Sequence, residues 1–204
     1  GELSEIAELV CAWSRDHVLL HSLCPFARPA LKSGAVRIVV RPDIVSEKEA
    51  ANAIYKEGLL LSGTEPSEIS TTLMALPSLF ADSFESFHMF TEALEDMLDR
   101  DPGEVSEHVM LASFHPLFEY EGLEGEERVL SYEKRSPVPI VNLLRTQVVD
   151  RHIDSGFSVE ASQAKIEETL HSKGLHVVES KFAELAPIKG SVAEWFSPEH
   201  ETDV

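Results

Sequence analysis

The stretch STTLMALP, residues 70–77, decides the fold class of this chain. It is an almost continuous apolar run that a proline closes. A strand with one face in solvent alternates apolar and polar side chains, whereas a strand covered on both faces is apolar nearly throughout. We therefore expect residues 70–77 to form a strand with helices on both of its faces.

Strands and helices are predicted to alternate around this run. The segment AVRIVVRPD, residues 35–43, and the segment Val109–Phe114 are both strand candidates, each ending at or just before a proline. Between the strands, Ser46 and Glu49 form a capping box that opens a helix, and residues 80–98 carry apolar side chains at helical spacing. This alternation predicts an α/β fold with at least three apolar strands, joined by helical crossovers in an at least partly parallel sheet.

Helices are also predicted towards both ends of the chain. Residues 4–23 and 159–172 show apolar side chains at three- and four-residue spacing. A further helix is expected to begin near Pro139, because proline suits the first turn of a helix. The stretch LHVVESKF, residues 175–182, fits either a helix or a strand. The sheet is thus expected to be followed by extra C-terminal helices.

Length and composition favour an ordinary soluble globular protein. The chain has 204 residues, of which 43% are hydrophobic, and we place one domain at residues 1–186 and a tail with Trp195 and Phe196 at residues 187–204. The formal charge of −19 disfavours nucleic acid and membrane surfaces as partners. Two cysteines cannot form a disulfide framework, which predicts free thiols and an intracellular or organellar protein. Compartment and oligomeric state stay open.

Two residues next to predicted elements are candidates for catalysis. His115 follows a buried strand directly, where open α/β sheets usually bind their ligands, and it could serve as a general base or a metal ligand. The alternative is a capping histidine that bonds a loop carbonyl. Cys24 precedes a proline at a helix boundary, which is typical of reactive thiols. The alternative here is a structural cysteine beside a proline kink.

Further polar residues are candidates for binding a ligand. Arg135 and Arg145 bracket a proline-rich turn, where guanidinium groups and helix N–H groups could hold an anion, or where they could simply pair with surface acids. His17, His21 and Cys24 share one helical face and could bind a metal, although the histidines could equally point to solvent. Glu68, Thr71 and Thr72, at the start of the second strand, are expected to be structural. The chain contains no nucleotide or dinucleotide motif.

Four stretches occur in the order typical of a known family. They are LCPFARP, STTLMALP, LASFHPLF and RSPVPIVNLLR, with IEETLHSKG further on. The chain resembles the family called domain of unknown function 1415 over residues 6–182. The characteristic positions that the resemblance implies are Cys24, Pro25, Phe26, Thr72, Ser113, Phe114, His115, Pro116, Arg135, Ser136, Pro137, Pro139 and Arg145. Asn142 and Thr146 depart from the pattern, in which a histidine and an acid are frequent.

These observations lead to three hypotheses about function. The first is a small soluble enzyme that acts on an anionic small molecule; its catalytic residues would be His115 and Cys24, and its substrate-binding residues Arg135, Ser136, Arg145 and Ser113. The second is a binding or assembly module that uses the acidic segment at residues 119–133 and the C-terminal tail. The third is a metalloprotein with His115 and Cys24 as ligands of a transition metal. The family has no established activity, so the resemblance does not choose among them.

Overall fold

A four-stranded mixed sheet forms the centre of the computed structural model, which describes residues 2–100 and 103–187. The strand order is β1–β2–β4–β3, with β1 and β2 parallel and β4 antiparallel to both of its neighbours. The strands are β1 Val36–Val40, β2 Thr71–Ala75, β3 Val109–Phe114 and β4 Ile140–Arg145. The expected α/β fold with a partly parallel sheet is confirmed.

The crossover between β1 and β2 is made by helix α3, Glu47–Ser62. The predicted capping box starts it: the Ser46 hydroxyl accepts the N–H of Glu49, and the Glu49 carboxylate accepts the Ser46 hydroxyl proton and the N–H of Val45. Every residue of β2 is buried, as its apolar sequence predicts for a strand covered on both faces.

Helices cover both faces of the sheet. Helix α3 lies on one face together with α4, Phe84–Arg100, and α5, Glu104–His108. Their core packs around Phe87, Leu94 and Met74. The other face is covered by α1, Glu2–Trp13, by α7, Val159–Lys173, and by α8, Leu175–Ala183. The C-terminal helices are therefore part of the fold, and residues 175–182 are helical.

The prediction of a helix beginning near Pro139 is wrong. Residues Ile140–Arg145 form β4, an interior strand that is hydrogen-bonded on both edges, and helix α6, Thr146–Asp154, begins only after it. Five of the six side chains of β4 are buried. Pairing with two strands and burial on both faces outweigh the preference of proline for a helical first turn.

The predicted N-terminal helix is interrupted at its C-terminal end. Helix α1 passes into a π-helical segment, Ser14–Leu19, in which the Ser14 hydroxyl donates to the Val10 carbonyl oxygen at 2.9 Å. A turn follows, and then the short helix α2, Ala27–Lys32. Single π-helical turns inside helices frequently occur at functional sites. Here the segment turns the chain across the sheet just before Cys24.

The acidic segment is folded rather than a free loop. Within it, Gly125–Glu133 forms a 3₁₀ helix that packs against α7 and α8 and buries Val129 and Tyr132. No helix of the described residues is long and apolar enough to cross a membrane. The predicted tail from residue 188 onward, with its Trp-Phe pair, lies outside the described residues.

Candidate functional site

A cavity of about 400 Å³ lies between the sheet and the segment that connects α1 to α2. Its floor is formed by side chains of β2, β3 and β4, and its roof by the π-helical segment and the stretch around Cys24. Most of its wall is apolar, with Trp13, Phe26, Leu73 and Leu144 among the larger contributors. A mainly apolar cavity of this size that holds a few polar groups is typical of a small-molecule site.

Cys24 lies in the cavity wall at the start of α2. The backbone N–H groups of Phe26 and Ala27 point at its thiol, which favours the thiolate, but burial has the larger effect and raises the pKa of Cys24 above its ordinary value of 9.0. The thiol is therefore protonated at neutral pH. Both cysteines are free, as the sequence predicts, and Cys11 does not line the cavity.

Asn142 and Thr71 form a polar spot on the otherwise apolar floor. Asn142 is 7% exposed, and its Oδ1 lies 2.5 Å from the Thr71 hydroxyl, which also lies 2.9 Å from the Leu143 carbonyl oxygen. The other end of the Asn142 amide bonds no described residue. In the sequence, Asn142 stands out only as a departure from a family pattern, and Thr71 is expected to be structural. The available signal was a single polar residue within the apolar run IVNLLR.

Charged side chains surround the other end of the cavity. Lys134 is its only basic lining residue among the described part of the chain, and its ammonium lies 5.7 Å from the ring centroid of Phe118 and 6.0 Å from that of Tyr120. The carboxylates of Glu95 and Glu133 line the same end. Burial, together with nearby acids, raises the pKa of Glu95. The entrance is thus polar whereas the interior is apolar.

His115 does not line this cavity. It is fully buried, its Nε2 donates to the Phe80 carbonyl oxygen at 2.8 Å, and its Nδ1 accepts the N–H of Leu117 at 3.1 Å. Both ring nitrogens are thus hydrogen-bonded to the backbone, and burial lowers the pKa of His115. This geometry matches the alternative of a capping histidine, and it leaves no ring nitrogen for a base or a ligand.

Arg135 and Ser136 brace the turn that leads into β4. The guanidinium of Arg135 donates to the Phe118 carbonyl oxygen at 3.0 Å and to the Glu119 carboxylate at 2.8 Å, and it stacks 4.5 Å from the Tyr132 ring centroid. The Ser136 hydroxyl is buried and donates to the Val138 carbonyl oxygen at 2.6 Å. Their polar groups are therefore already used within the protein.

Arg145 lies at the opposite end of the sheet from His115. The register of β3 and β4 pairs Arg145 with Val109 and Ile140 with Phe114, so five residues of strand, about 17 Å, separate the two ends. The Arg145 guanidinium is buried and donates to the carbonyl oxygens of Ile69 and Thr64. The structure thus brings Cys24 and Ser113 to the cavity, and it places His115, Arg135, Ser136 and Arg145 outside it.

His17 and His21 are buried rather than turned to solvent. Their ring centroids are 5.2 Å apart and each residue is 1% exposed. His17 Nε2 donates to the Tyr132 carbonyl oxygen at 2.7 Å, and the other three ring nitrogens have no hydrogen-bond partner. Burial lowers the pKa of each to about 4. Nowhere in the described ranges do three or more His, Cys, Asp or Glu side chains form a group that could hold a metal ion.

Comparison with known proteins identifies one protein family. The sequence model of the family described as "Protein of unknown function (DUF1415)" matches residues 5–180. No curated protein and no solved structure matches the chain. Because the match covers most of the sequence, the resemblance seen in the four motifs is confirmed, and the chain belongs to the DUF1415 family.

Proposed function

We propose that the protein binds a small, mainly apolar organic acid in the cavity beside Cys24. The observation that carries this proposal is the cavity itself, which combines an apolar wall with the buried side-chain amide of Asn142, one end of which bonds Thr71 while the other end bonds no described residue. Apolar walls supply binding free energy through the burial of ligand surface, and a few polar groups fix the orientation of the ligand.

The acidic character of the ligand rests on Lys134. Lys134 lines the cavity at its exposed end and makes no ion pair within 4 Å with a described carboxylate, although it is near enough to Glu95 to counteract the raised pKa of that residue; it is therefore the cation that a ligand carboxylate would meet. The sequence motifs suggested Arg135 and Arg145 for this role, but both guanidinium groups donate to oxygen atoms of the protein. The proposal therefore keeps the anionic ligand and assigns its charged end to Lys134.

Catalysis at this site stays a prediction. Cys24 is the one predicted catalytic residue that lines the cavity, and no described histidine lines it as a base. A protonated thiol is a weak nucleophile, so the geometry favours binding over thiol catalysis. The assembly hypothesis also stays a prediction: Glu119 of the acidic segment is already paired with Arg128 and Arg135, and the tail from residue 188 onward lies outside the described residues.

Protection of the Cys24 thiol tests the proposal. In a Cys11→Ser background, labelling by N-ethylmaleimide at mildly alkaline pH should slow in proportion to the fraction of protein that has bound octanoate. Labelling of Cys11 in the Cys24→Ser protein is the matched control, since Cys11 does not line the cavity and should not respond. The melting temperature should rise with octanoate in the same concentration range.

The variant Lys134→Gln tests whether Lys134 binds the carboxylate of the ligand. It should weaken octanoate binding a few-fold, as expected for an ion pair near solvent, and leave the uncharged analogue octanol unaffected. If octanoate changes neither the labelling of Cys24 nor the melting temperature, the cavity is not a site for organic acids.

A further inference from the structure

The hydroxyl of Thr71 faces two acceptors with a single proton. Asn142 Oδ1 lies 2.5 Å from it and the Leu143 carbonyl oxygen lies 2.9 Å from it. A hydroxyl donates one hydrogen bond and can accept two. One of the two oxygen–oxygen contacts is therefore left without a proton, in a place where both side chains are buried.

Rotating the Asn142 amide by half a turn resolves this conflict. The oxygen and nitrogen of a carboxamide have nearly the same shape, and only their hydrogen bonds distinguish them. With the nitrogen towards Thr71, the amide donates to the hydroxyl, and the hydroxyl donates its proton to the Leu143 carbonyl oxygen. Both contacts then have one donor and one acceptor, so this arrangement satisfies every group that faces the protein.

The same rotation turns the amide oxygen towards the cavity. We propose that Asn142 presents a buried hydrogen-bond acceptor to the ligand, and that the cavity selects molecules that carry a hydroxyl or N–H group on an apolar body. This inference rests on the proposed function and narrows its ligand class, because together with Lys134 it describes an apolar hydroxy acid. A ligand that offers only an acceptor at this point would place two oxygens against each other.

The spacing of the two polar ends sets the size of such a ligand. Asn142 pairs with Ala112 in β3, and the backbone N–H of His115, three residues later, donates to the carbonyl oxygen of Lys134. Three residues of strand correspond to about 10 Å. This spacing of the backbone positions favours an acid with its hydroxyl several carbons away from its carboxylate over a short hydroxy acid such as lactate.

A matched pair of small probes tests the orientation of Asn142 without knowledge of the natural ligand. Cyclohexanol and cyclohexanone have nearly the same size, but only the alcohol can donate a hydrogen bond. Their affinities would be measured by NMR titration of the wild-type protein and of the variant Asn142→Leu, followed in both at the backbone N–H of Ala112, which lines the cavity. The affinity for cyclohexanol divided by the affinity for cyclohexanone should be about tenfold higher in the wild type than in Asn142→Leu.

The outcomes separate the two proposals. A wild-type preference for cyclohexanol that disappears in Asn142→Leu supports the buried acceptor. A ratio of affinities in the wild type that equals the ratio in the variant, or that is shifted towards the ketone, overturns this inference and leaves the organic-acid site standing. If neither probe nor octanoate binds the wild type, the proposed function itself fails. If Asn142→Leu does not fold, Asn142→Ala provides the reference ratio, since it also removes the amide from the cavity.

Discussion

His115 Nε2 lies 2.8 Å from the carbonyl oxygen of Phe80, a residue 35 positions earlier in the chain. Phe80 has a φ of 66°, in the left-handed region that side chains other than those of glycine, asparagine and aspartate rarely occupy. A buried hydrogen bond from His115 thus holds an unfavourable backbone conformation in place. The hydrogen bond between His115 and Phe80 indicates a structural role for His115, whereas its position directly after a strand suggests a ligand site.

The variant His115→Ala should therefore lose stability. It leaves the Phe80 carbonyl oxygen and the Leu117 N–H unpaired in the core and opens a cavity, which together cost about 3 kcal/mol of unfolding free energy. Leu117→Ala is the control, because Leu117 is 53% exposed and should change stability little. Chemical denaturation checks the difference. If His115→Ala has the same midpoint denaturant concentration as the wild type but no longer binds octanoate, His115 is a functional residue after all.

Arg145→Met should also act on stability rather than on ligand binding. The substitution keeps most of the apolar stem but leaves the carbonyl oxygens of Ile69 and Thr64 without their donor, at a cost of about 2 kcal/mol. Arg151→Met on the exposed side of α6 is a matched control that should cost less than about 0.5 kcal/mol. Octanoate affinity, measured on both variants, should stay within a factor of two or so of the wild type.

The stability of the protein should fall as the pH decreases from about 6.5 towards 4. His17 and His21 have pKa values of about 4 in the folded protein and about 6.5 in the unfolded chain, so unfolding takes up protons in this range. Above pH 6.5 both states bind the same number of protons at these sites, and the effect vanishes. Denaturant titrations from pH 4 to pH 8 would measure it.

The variant His17→Phe identifies the source of this pH dependence. It removes one titrating ring from the core. The unfolding free energy lost between pH 6.5 and pH 4 should therefore be smaller than in the wild type, by an amount on the order of 2 to 3 kcal/mol. His88→Phe is the control, because His88 is exposed on α4 and should leave the slope unchanged. An unchanged slope in the His17 variant would show that the acidic surface, not the buried pair, governs the pH response.

Gly58→Ala should destabilise the contact between α3 and α5. A Cβ atom at Gly58 would lie 2.6 Å from Cγ1 of Val105, well inside contact distance, so about 1 to 3 kcal/mol is expected despite the better helix propensity of alanine. Gly63→Ala, where the nearest atom is 3.4 Å away, is the control and should be close to neutral. The double variant Gly58→Ala with Val105→Ala should recover part of the loss, as thermal denaturation can show.

Local signals in the sequence predicted most of the fold. The capping residues of α3 and the apolar runs of β1, β2 and β3 act within a few residues, so they can be recognised without knowledge of the tertiary structure. The strand β4 was missed because its stability comes from two neighbouring strands that are distant in sequence, whereas Pro139 points locally to a helix.

The candidate site was predicted only in part, for a related reason. Cys24 was found because a cysteine beside a proline is a local signal. His115, Arg135 and Arg145 resemble site residues in sequence, because polar groups buried for structural reasons are of the same types as those used for binding. The single polar residue Asn142 in an apolar run is only a weak signal, since its proposed role depends on which of its hydrogen bonds the protein leaves unmade.

The strand order has a consequence for the synthesis of the protein. β4 lies between β2 and β3, yet it is the last of the four described strands to leave the ribosome. Until Ile140 has been translated, β2 keeps an open, apolar edge and β3 has no partner in the sheet. A nascent chain interrupted before this point would expose the edge that other chains can pair with. The growing polypeptide therefore keeps this aggregation-prone edge until Ile140–Arg145 has been synthesised and has paired with β2 and β3.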